Sequence, residues 1–298
     1  MHSGPGQHWL KRIQRLFLAV ALAAIGWYLA RHRGELAGVP WPALLGVLAP
    51  VLLLQVFAHG VLALAFHWVA RSADIERDPM AAFGSYFRRI PARYIPGGVW
   101  HTAARYLDLH VEQRTGKATL ARLAILEMVL VATAGFLVAL LAGVLLDGSV
   151  NGGTHLLALQ GLAVAAGAAA IAVLLPRGRR LAAVAWLSGA LLLIALAWIL
   201  AGTSFALVTG ALIGGCGATS LASTYVSSAT VGYVAIFAPQ GWGVSELAFD
   251  YLLPCAVELA MVLLGFVVFR VIGIGSDLLA VGSWWLLAGR RAGAATNR

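Results

Sequence analysis

Two short stretches of this sequence place helix-breaking residues beside charged side chains that can bind an anion. The first, IPGGVWHTAAR, covers residues 95–105, and the second, APQGWGVSE, covers residues 238–246. A helix that restarts after such a break presents unpaired backbone N–H groups and the positive end of its dipole. Helix starts of this kind bind phosphate, and Gly97 and Gly98 leave the approach open. Arg105 adds a nearby cation, so the first stretch predicts an anion site.

The composition places these stretches in a membrane protein. Of the 298 residues, 61% are hydrophobic and 11% are charged, and the mean hydropathy is +0.86. Backbone groups in lipid must be hydrogen-bonded within their own segment, which favours helices. We therefore expect an all-α polytopic membrane protein of about six to eight transmembrane helices, with two re-entrant or broken helices. The net charge of +9 does not indicate nucleic acid, because the positive residues lie between the apolar runs.

Eight apolar runs are visible in the sequence. They cover residues 13–31, 43–70, 118–146, 154–175, 182–201, 204–219, 222–238 and 259–288. The first run ends in Trp27, Tyr28 and Arg31 and lacks a small-residue cleavage site, so we expect an uncleaved helix. The segments 79–106 and 239–250 are too polar for ordinary spans.

The distribution of Lys and Arg predicts the orientation. With the N-terminus in the cytoplasm, 18 of the 21 Lys and Arg residues face that side. Only Arg31 and Arg33 then lie outside, and Arg270 falls within a span. Because cytoplasmic loops are enriched in positive residues, we expect a multi-pass protein of the bacterial inner membrane with both termini in the cytoplasm.

The two stretches also predict an internal repeat. Pro96 aligns with Pro239 and Gly98 aligns with Gly241, at an offset of 143 residues. The same offset carries the apolar run 118–146 onto 261–289 and 13–31 onto 156–174. We therefore expect two inverted repeats, 1–150 and 151–298, in which the first break enters from the cytoplasm and the second from outside. Paired interrupted segments of this kind mark the central site of many transporters.

These motifs, in this order, resemble those of the flippase-like membrane domain family, also called the lysylphosphatidylglycerol synthase transmembrane region. The residues that carry the resemblance across nearly the whole chain are Ile95, Pro96, Gly97, Gly98, Arg105, Glu127, Pro239, Gly241, Gly243, Glu246 and Arg270. The resemblance implies lipid translocation, with two re-entrant motifs meeting near mid-membrane. Trp242 and Ser245 depart from the family, which commonly has Leu and Arg there, and the missing cation points to a different head group. No synthetase domain is expected.

Arg270 lies near the middle of the last apolar run. A central arginine costs roughly 2.5–3.5 kcal/mol on insertion scales, so a partner must offset it. Two interpretations stay open at this point. Arg270 contacts a lipid phosphate, or it forms a structural ion pair with Glu127, Glu246 or Asp277.

The acidic residues carry similar alternatives. Glu127 is either a counter-ion for Arg105 or Arg270, or a protonatable group that couples transport to a gradient. Glu246 suits proton coupling or a cationic head group, whereas Asp250, one turn later, is expected to be a solvated outer residue. A nearby like charge or burial raises a carboxyl pKa, and a nearby arginine lowers it.

Further polar residues lie close to these motifs. Arg88, Arg89 and Arg93 are expected to face anionic lipid head groups or to guide a phosphate toward the glycines. His59 and Gln55, one helical turn apart, either line the cavity or form helix–helix hydrogen bonds. Cys216 and Cys255 are small residues in apolar surroundings, and we expect no disulfide.

The sequence thus predicts a lipid translocase, a flippase or a scramblase, rather than an enzyme. Its substrate would be an aminoacylated phospholipid or a polyprenyl-phosphate-linked sugar. The alternatives are a membrane enzyme acting on a lipid-linked substrate and a non-transporting partner subunit of a glycosyltransferase or synthetase. We expect no catalytic residue, cofactor, metal or nucleic acid, and a homo-oligomer stays open. The predicted substrate-binding residues are Arg93, Pro96, Gly97, Gly98, His101, Arg105, Glu127, Pro239, Gly241, Gly243, Glu246 and Arg270.

Overall fold

The computed structural model of this chain consists of helices and short connections. It describes residues 40–76, 78–94, 100–145, 153–175, 180–213, 215–235 and 238–296, together with isolated positions between 23 and 36. These ranges contain no β-strand. Five of their helices are long and apolar enough to cross a membrane. The protein is an all-α multi-pass membrane protein, which confirms the predicted fold class.

The helices of the first half are α1 (Trp41–Arg71), α2 (Pro79–Arg89), α3 (Trp100–Gln113) and α4 (Lys117–Leu145), with a 3-10 turn at Ile90–Tyr94 between α2 and α3. The second half contains α5 (Gly153–Leu174), α6 (Arg180–Leu212), α7 (Ala218–Val234), α8 (Val244–Leu252) and α9 (Leu259–Thr296), with a 3-10 turn at Pro239–Gly241 between α7 and α8. A short helical segment, Arg33–Leu36, precedes α1. One order therefore occurs twice: a long helix, a short helix, a 3-10 turn, a short helix and a long helix.

Most predicted apolar runs coincide with these helices, but one predicted boundary is wrong. The runs 182–201 and 204–219 are separate in the sequence, but they form the single helix α6 up to Leu212. Gly202, at the predicted break, instead allows α7 to approach closely. A Cβ there would lie 2.9 Å from Val226 Cγ2 and 3.1 Å from the Ala222 carbonyl oxygen. Most of the run 13–31 lies outside the described residues.

Local signals explain where the short helices begin. The Asp78 side chain accepts a hydrogen bond from the Ala81 N–H, and Pro79 occupies the first turn of α2, where its missing donor costs nothing. Gly243 precedes α8 with φ of 80°, a left-handed conformation that glycine adopts without strain. Its N–H donates to the Glu246 carboxylate at 2.8 Å, so Glu246 fixes the start of α8.

The long helices pack across the two halves. In the centre, α1 lies along α6. Helix α4 contacts α6 and α7, and helix α9 contacts the corresponding first-half helices, α1 and α2. The short helices α3 and α8 each pack against the long helix that follows them, α4 and α9. The two broken regions are thereby held against the inner faces of long apolar helices.

Aromatic packing fixes the second broken region. Phe205 of α6 is fully buried and stacks on Tyr225 of α7, with ring centroids 4.3 Å apart. Phe249 of α8 meets Phe205 at 5.2 Å and Phe266 of α9 at 5.4 Å, both edge to face. Such aromatic pairs contribute about 0.5–1.5 kcal/mol each beyond the burial of their area. Phe249 therefore anchors the short helix α8 to both α6 and α9.

A disulfide joins Cys216 and Cys255, so the prediction of two unpaired cysteines was wrong. Cys216 follows α6 and Cys255 precedes α9, and their Cα atoms are 6.0 Å apart. The sequence placed both residues beside apolar runs, but they belong to the two short connections that meet at one end of the bundle. The bond closes a chain separation of 39 residues around α7 and α8.

Candidate functional site

The first broken region is described on both sides of its glycines. Pro96, Gly97 and Gly98, three of the predicted binding residues, lie outside the described residues. Arg93 lies in the 3-10 turn before them, and His101 lies in the first turn of α3 after them. The contacts of these flanking residues and of α3 build the site.

Arg105 and Glu127 form a buried ion pair between α3 and α4. Arg105 Nη2 lies 2.7 Å from Glu127 Oε1, and the arginine side chain is only 2% exposed. The guanidinium carbon also lies 4.7 Å from the ring centre of Phe66 and 4.9 Å from that of Tyr86. Ring faces attract a desolvated cation, and the carboxylate neutralises it. Of the two partners expected for Glu127, the structure selects Arg105.

Arg270 and Glu246 form a second ion pair, between α9 and α8. Arg270 Nη1 lies 2.9 Å from Glu246 Oε1, and Glu246 is 2% exposed. Trp242 covers the guanidinium at 3.8 Å from its ring centre. Glu246 thus binds the start of α8 through its other oxygen and the long helix through Arg270. Of the three acids considered for Arg270, Glu246 is the partner.

The two ion pairs occupy related places with opposite polarity. Glu127 and Arg270 lie 143 positions apart, the offset that also separates Pro96 from Pro239. Glu127 is ten residues into α4 and Arg270 is eleven residues into α9, which puts them about 15 and 17 Å from the helix starts. Because a bilayer core is about 30 Å thick, both positions are close to half its depth.

A third cluster surrounds Asp277, about two turns beyond Arg270 on α9. Its Oδ1 lies 2.7 Å from His59 Nε2 on α1 and 2.9 Å from Arg93 Nη1. Its Oδ2 accepts a hydrogen bond from the Tyr94 hydroxyl at 2.5 Å. Asp277 was considered only as a partner of Arg270, and its role in joining three elements was missed. The sequence signal was an acidic residue inside an apolar run, opposite a histidine in another run.

The two broken regions touch each other. Gln240 Nε2 donates to the Arg93 carbonyl oxygen at 3.0 Å, although the residues are 147 positions apart. Gln240 has φ of 51° and Gly241 has φ of 71°, so the turn is left-handed at both positions. A Cβ on Gly241 would lie 2.9 Å from the Gly232 Cα, which explains why glycine is required there. The predicted residues Gly241 and Gly243 therefore shape this turn, which begins at Pro239.

Tyr86 of α2 connects the Asp277 cluster with the Arg105 pair. Its ring centre lies 6.3 Å from that of His59 and 5.2 Å from that of His101, and Arg105 covers another side. His101, a predicted site residue, is therefore part of this row of rings. The carbonyl oxygen of His101 accepts a hydrogen bond from Arg105 Nε at 3.4 Å.

A further ion pair lies at the far end of α3. Arg89 Nε donates to Asp108 Oδ2 at 3.0 Å, and Ser85 Oγ donates to the same oxygen at 2.9 Å. Partial burial raises the pKa of Asp108, but these hydrogen bonds outweigh burial and leave the pKa below its ordinary value. Arg89 thus serves α2–α3 packing in addition to any role toward lipid. Asp250 is exposed, as expected for a solvated residue.

Comparison with known proteins adds no assignment. The chain matches no family model, and no curated protein is significantly similar to it. The resemblance to the flippase-like membrane domain family therefore stays a prediction from the motifs. Within the ranges that the structure describes, no group of His, Cys, Asp and Glu has the arrangement of a metal site.

Proposed function

We propose that this protein is a lipid translocase that moves a phosphate-bearing lipid between the leaflets of a bacterial inner membrane. The observation that carries the proposal is the set of three arginine–carboxylate pairs beside two contacting broken helices. Buried arginines in a membrane interior are costly, and pathways for anionic groups are a common reason to retain them. The resemblance of the motifs to the flippase-like membrane domain family supports the same class of function.

In the proposed mechanism, a lipid phosphate competes with carboxylates for the arginines. Arg105 Nη1 is buried and has no hydrogen-bond partner among the described residues, so it can donate to a phosphate oxygen. Arg93 and Arg270 hold comparable positions beside the two breaks. Arginine suits this role because its planar donors match phosphate oxygens and its charge persists at every physiological pH. The arginines replace the water that the head group loses.

We also propose that the two halves, 1–150 and 151–298, are inverted repeats that close the pathway alternately from either side. The repeated element order and the reciprocal packing of α4 and α9 support this. So does the relation between Glu127 and Arg270, whose separation equals that of the two prolines. In repeat transporters, rocking of one half against the other exposes a fixed central site to each side in turn.

The proposed orientation keeps both termini in the cytoplasm. The disulfide supports it, because Cys216 and Cys255 lie in the connections that this orientation places outside. Disulfides persist in oxidising compartments such as the periplasm and are rare in the cytoplasm.

Lipid crossing in reconstituted vesicles tests the function. The purified protein is placed in liposomes that contain a fluorescent short-chain phosphatidylglycerol or a fluorescent polyprenyl phosphate. The rate at which each probe becomes accessible to an external quencher is then measured. Wild type should accelerate crossing of at least one phosphate-bearing probe, and Arg270→Gln should abolish it. Arg114→Gln, at an exposed position between α3 and α4, serves as the matched control and should behave as wild type.

Failure of this assay has a defined meaning. If no probe crosses faster than in protein-free vesicles, with and without a pH gradient, the translocase proposal is wrong. The membrane-enzyme and partner-subunit alternatives are then distinguished by chemical analysis of the recovered lipid, which an enzyme would have altered.

A further inference from the structure

The Asp277 carboxylate holds the first broken region against the long helix α9. Both of its oxygens are engaged, by His59 of α1 and by Arg93 and Tyr94 of the 3-10 turn. This turn leads directly into the first glycine motif, and Gln240 of the second motif binds its backbone. Release of Arg93 from Asp277 would therefore loosen the contact between the two broken regions.

The members of this cluster differ in exposure. The side chains of Asp277 and His59 are 5% and 8% exposed, whereas that of Arg93 is 42% exposed. Arg93 is therefore the partner that an incoming anion can reach and withdraw. The two buried members would remain together after Arg93 has left.

Two polar groups beside Asp277 have unused hydrogen-bonding capacity. His59 Nδ1 is buried, and it meets no hydrogen-bond partner among the residues with described positions. Gln55 lies one turn before His59, and both its amide oxygen and its amide nitrogen are buried with no hydrogen-bond partner among those residues. A Cβ on Gly273, one turn before Asp277, would lie 3.8 Å from Gln55 Oε1, so this amide faces α9 close to Asp277. Buried polar atoms without partners are costly and call for a ligand, an ion or water.

We propose that His59 and Asp277 form a proton-binding site that couples lipid movement to a proton gradient, a step that rests on the proposed translocase function. When a lipid phosphate withdraws Arg93, Asp277 loses a positive counter-ion. A proton from the water on the lipid-loading side then binds His59 Nδ1. The resulting imidazolium, still within 2.7 Å of Asp277 through Nε2, replaces the lost positive charge. One proton is taken up for each phosphate bound.

The groups around this site favour replacement of the Arg93 charge by the charge of protonated His59. Tyr94 faces Asp277 from the 3-10 turn, and Tyr86 faces His59 from α2. His101 of α3 also contacts Tyr86, with ring centres 5.2 Å apart. The next charges along this row, Arg105 and Glu127, neutralise each other. Arg93 is thus the charge whose departure the His59–Asp277 pair must balance.

Coupling is tested by letting a pH gradient drive lipid asymmetry. Liposomes containing the protein and a probe that crosses are given a gradient of one pH unit, and the leaflet distribution is measured at steady state. With one proton moved per lipid, the probe should accumulate in the leaflet on the alkaline side, by about tenfold per pH unit. Asp277→Asn should move the probe more slowly, because it frees Arg93 from α9, and should leave the two leaflets equally filled at steady state. Asp250→Asn, the same change at an exposed position, should keep the wild-type response.

Each result decides a different point. Crossing by wild type with no response to the gradient overturns the coupling and leaves the translocase function intact. Absence of crossing overturns both. A gradient response retained in Asp277→Asn shows that the proton binds elsewhere. If that variant fails to fold, His59→Gln preserves the Arg93–Asp277 pair but lacks the proton acceptor, and it should also lose the gradient response while still moving the probe. A retained response in His59→Gln would equally contradict the proposal.

Discussion

Neutralising Glu127 should destabilise the protein strongly, because it leaves the buried Arg105 cation without a counter-ion. Arg105 is 2% exposed, and its nearest anion is the Glu127 carboxylate at 2.7 Å. Removing one partner of such a pair costs about 3–5 kcal/mol, since the remaining charge stays away from water. The rings of Phe66 and Tyr86 remain in place and keep about 2 kcal/mol of attraction for the cation. We therefore expect Glu127→Gln to lose about 3–5 kcal/mol of unfolding free energy.

Removing both charges should restore most of this stability. Apolar residues of similar volume often replace a buried ion pair at no cost. The double variant Arg105→Met with Glu127→Leu should therefore unfold within about 1 kcal/mol of wild type. Without the guanidinium, however, it should not move a phosphate-bearing probe. Comparison of the single and double variants thus separates the structural contribution of these residues from their proposed function.

The assay is unfolding of purified protein in one detergent, followed by intrinsic tryptophan fluorescence at constant lipid content. Asp250→Asn provides a matched loss of one exposed carboxylate and should leave stability unchanged. Equal stability of Glu127→Gln and wild type would refute the view that Arg105 depends on this carboxylate. A double variant as unstable as the single variant would refute the view that the unpaired Arg105 charge causes the loss of unfolding free energy.

Three further predictions follow from separate parts of the structure. Cys216→Ser should lower the unfolding free energy by about 4 kcal/mol, since the bond closes 39 residues, and wild type treated with reductant should unfold at the same lowered midpoint. Gly241→Ala should cost about 1–3 kcal/mol, because φ is 71° and neighbouring backbone blocks a Cβ, whereas Gly210→Ala, in open space, should cost nothing measurable in the same unfolding experiment. The pKa of Asp108 is lower in the folded protein than in the unfolded chain. The carboxylate therefore stabilises the fold at a pH above its unfolded-state pKa, and this stabilisation is lost as the pH falls through its folded-state pKa. Asp108→Asn should flatten the acid limb of a stability–pH profile.

The helical elements were predictable because each long helix is a continuous apolar run. The second broken region was predictable for a related reason, since Pro239 and Gly241 interrupt such a run. The joining of the runs 182–201 and 204–219 into α6 was missed. Glycine ends a helix in one context and admits a neighbouring helix in another, and only the position of α7 decides between these effects.

The partners of the charged residues were not predictable from the sequence. Arg270 had three acids of suitable depth, and the choice of Glu246 depends on how α8 turns after Gly243. Arg93 and Asp277 are 184 positions apart, and no local pattern connects them. The disulfide was missed for the same reason, because it requires two connections to meet in space.

The most direct test of the translocase proposal compares two probes that differ only in the phosphate. Separate liposomes containing wild-type protein are each loaded with one probe. The first pair of probes is a fluorescent polyprenyl phosphate and the corresponding polyprenol. The second pair is a fluorescent short-chain phosphatidylglycerol and its diacylglycerol counterpart. Crossing is measured as the protein-dependent rate of quencher accessibility, after subtraction of protein-free vesicles. Acceleration of a phosphate-bearing member alone, abolished by Arg270→Gln, is the predicted result. Equal acceleration of both members of each pair, or of neither, would contradict a pathway built on arginines.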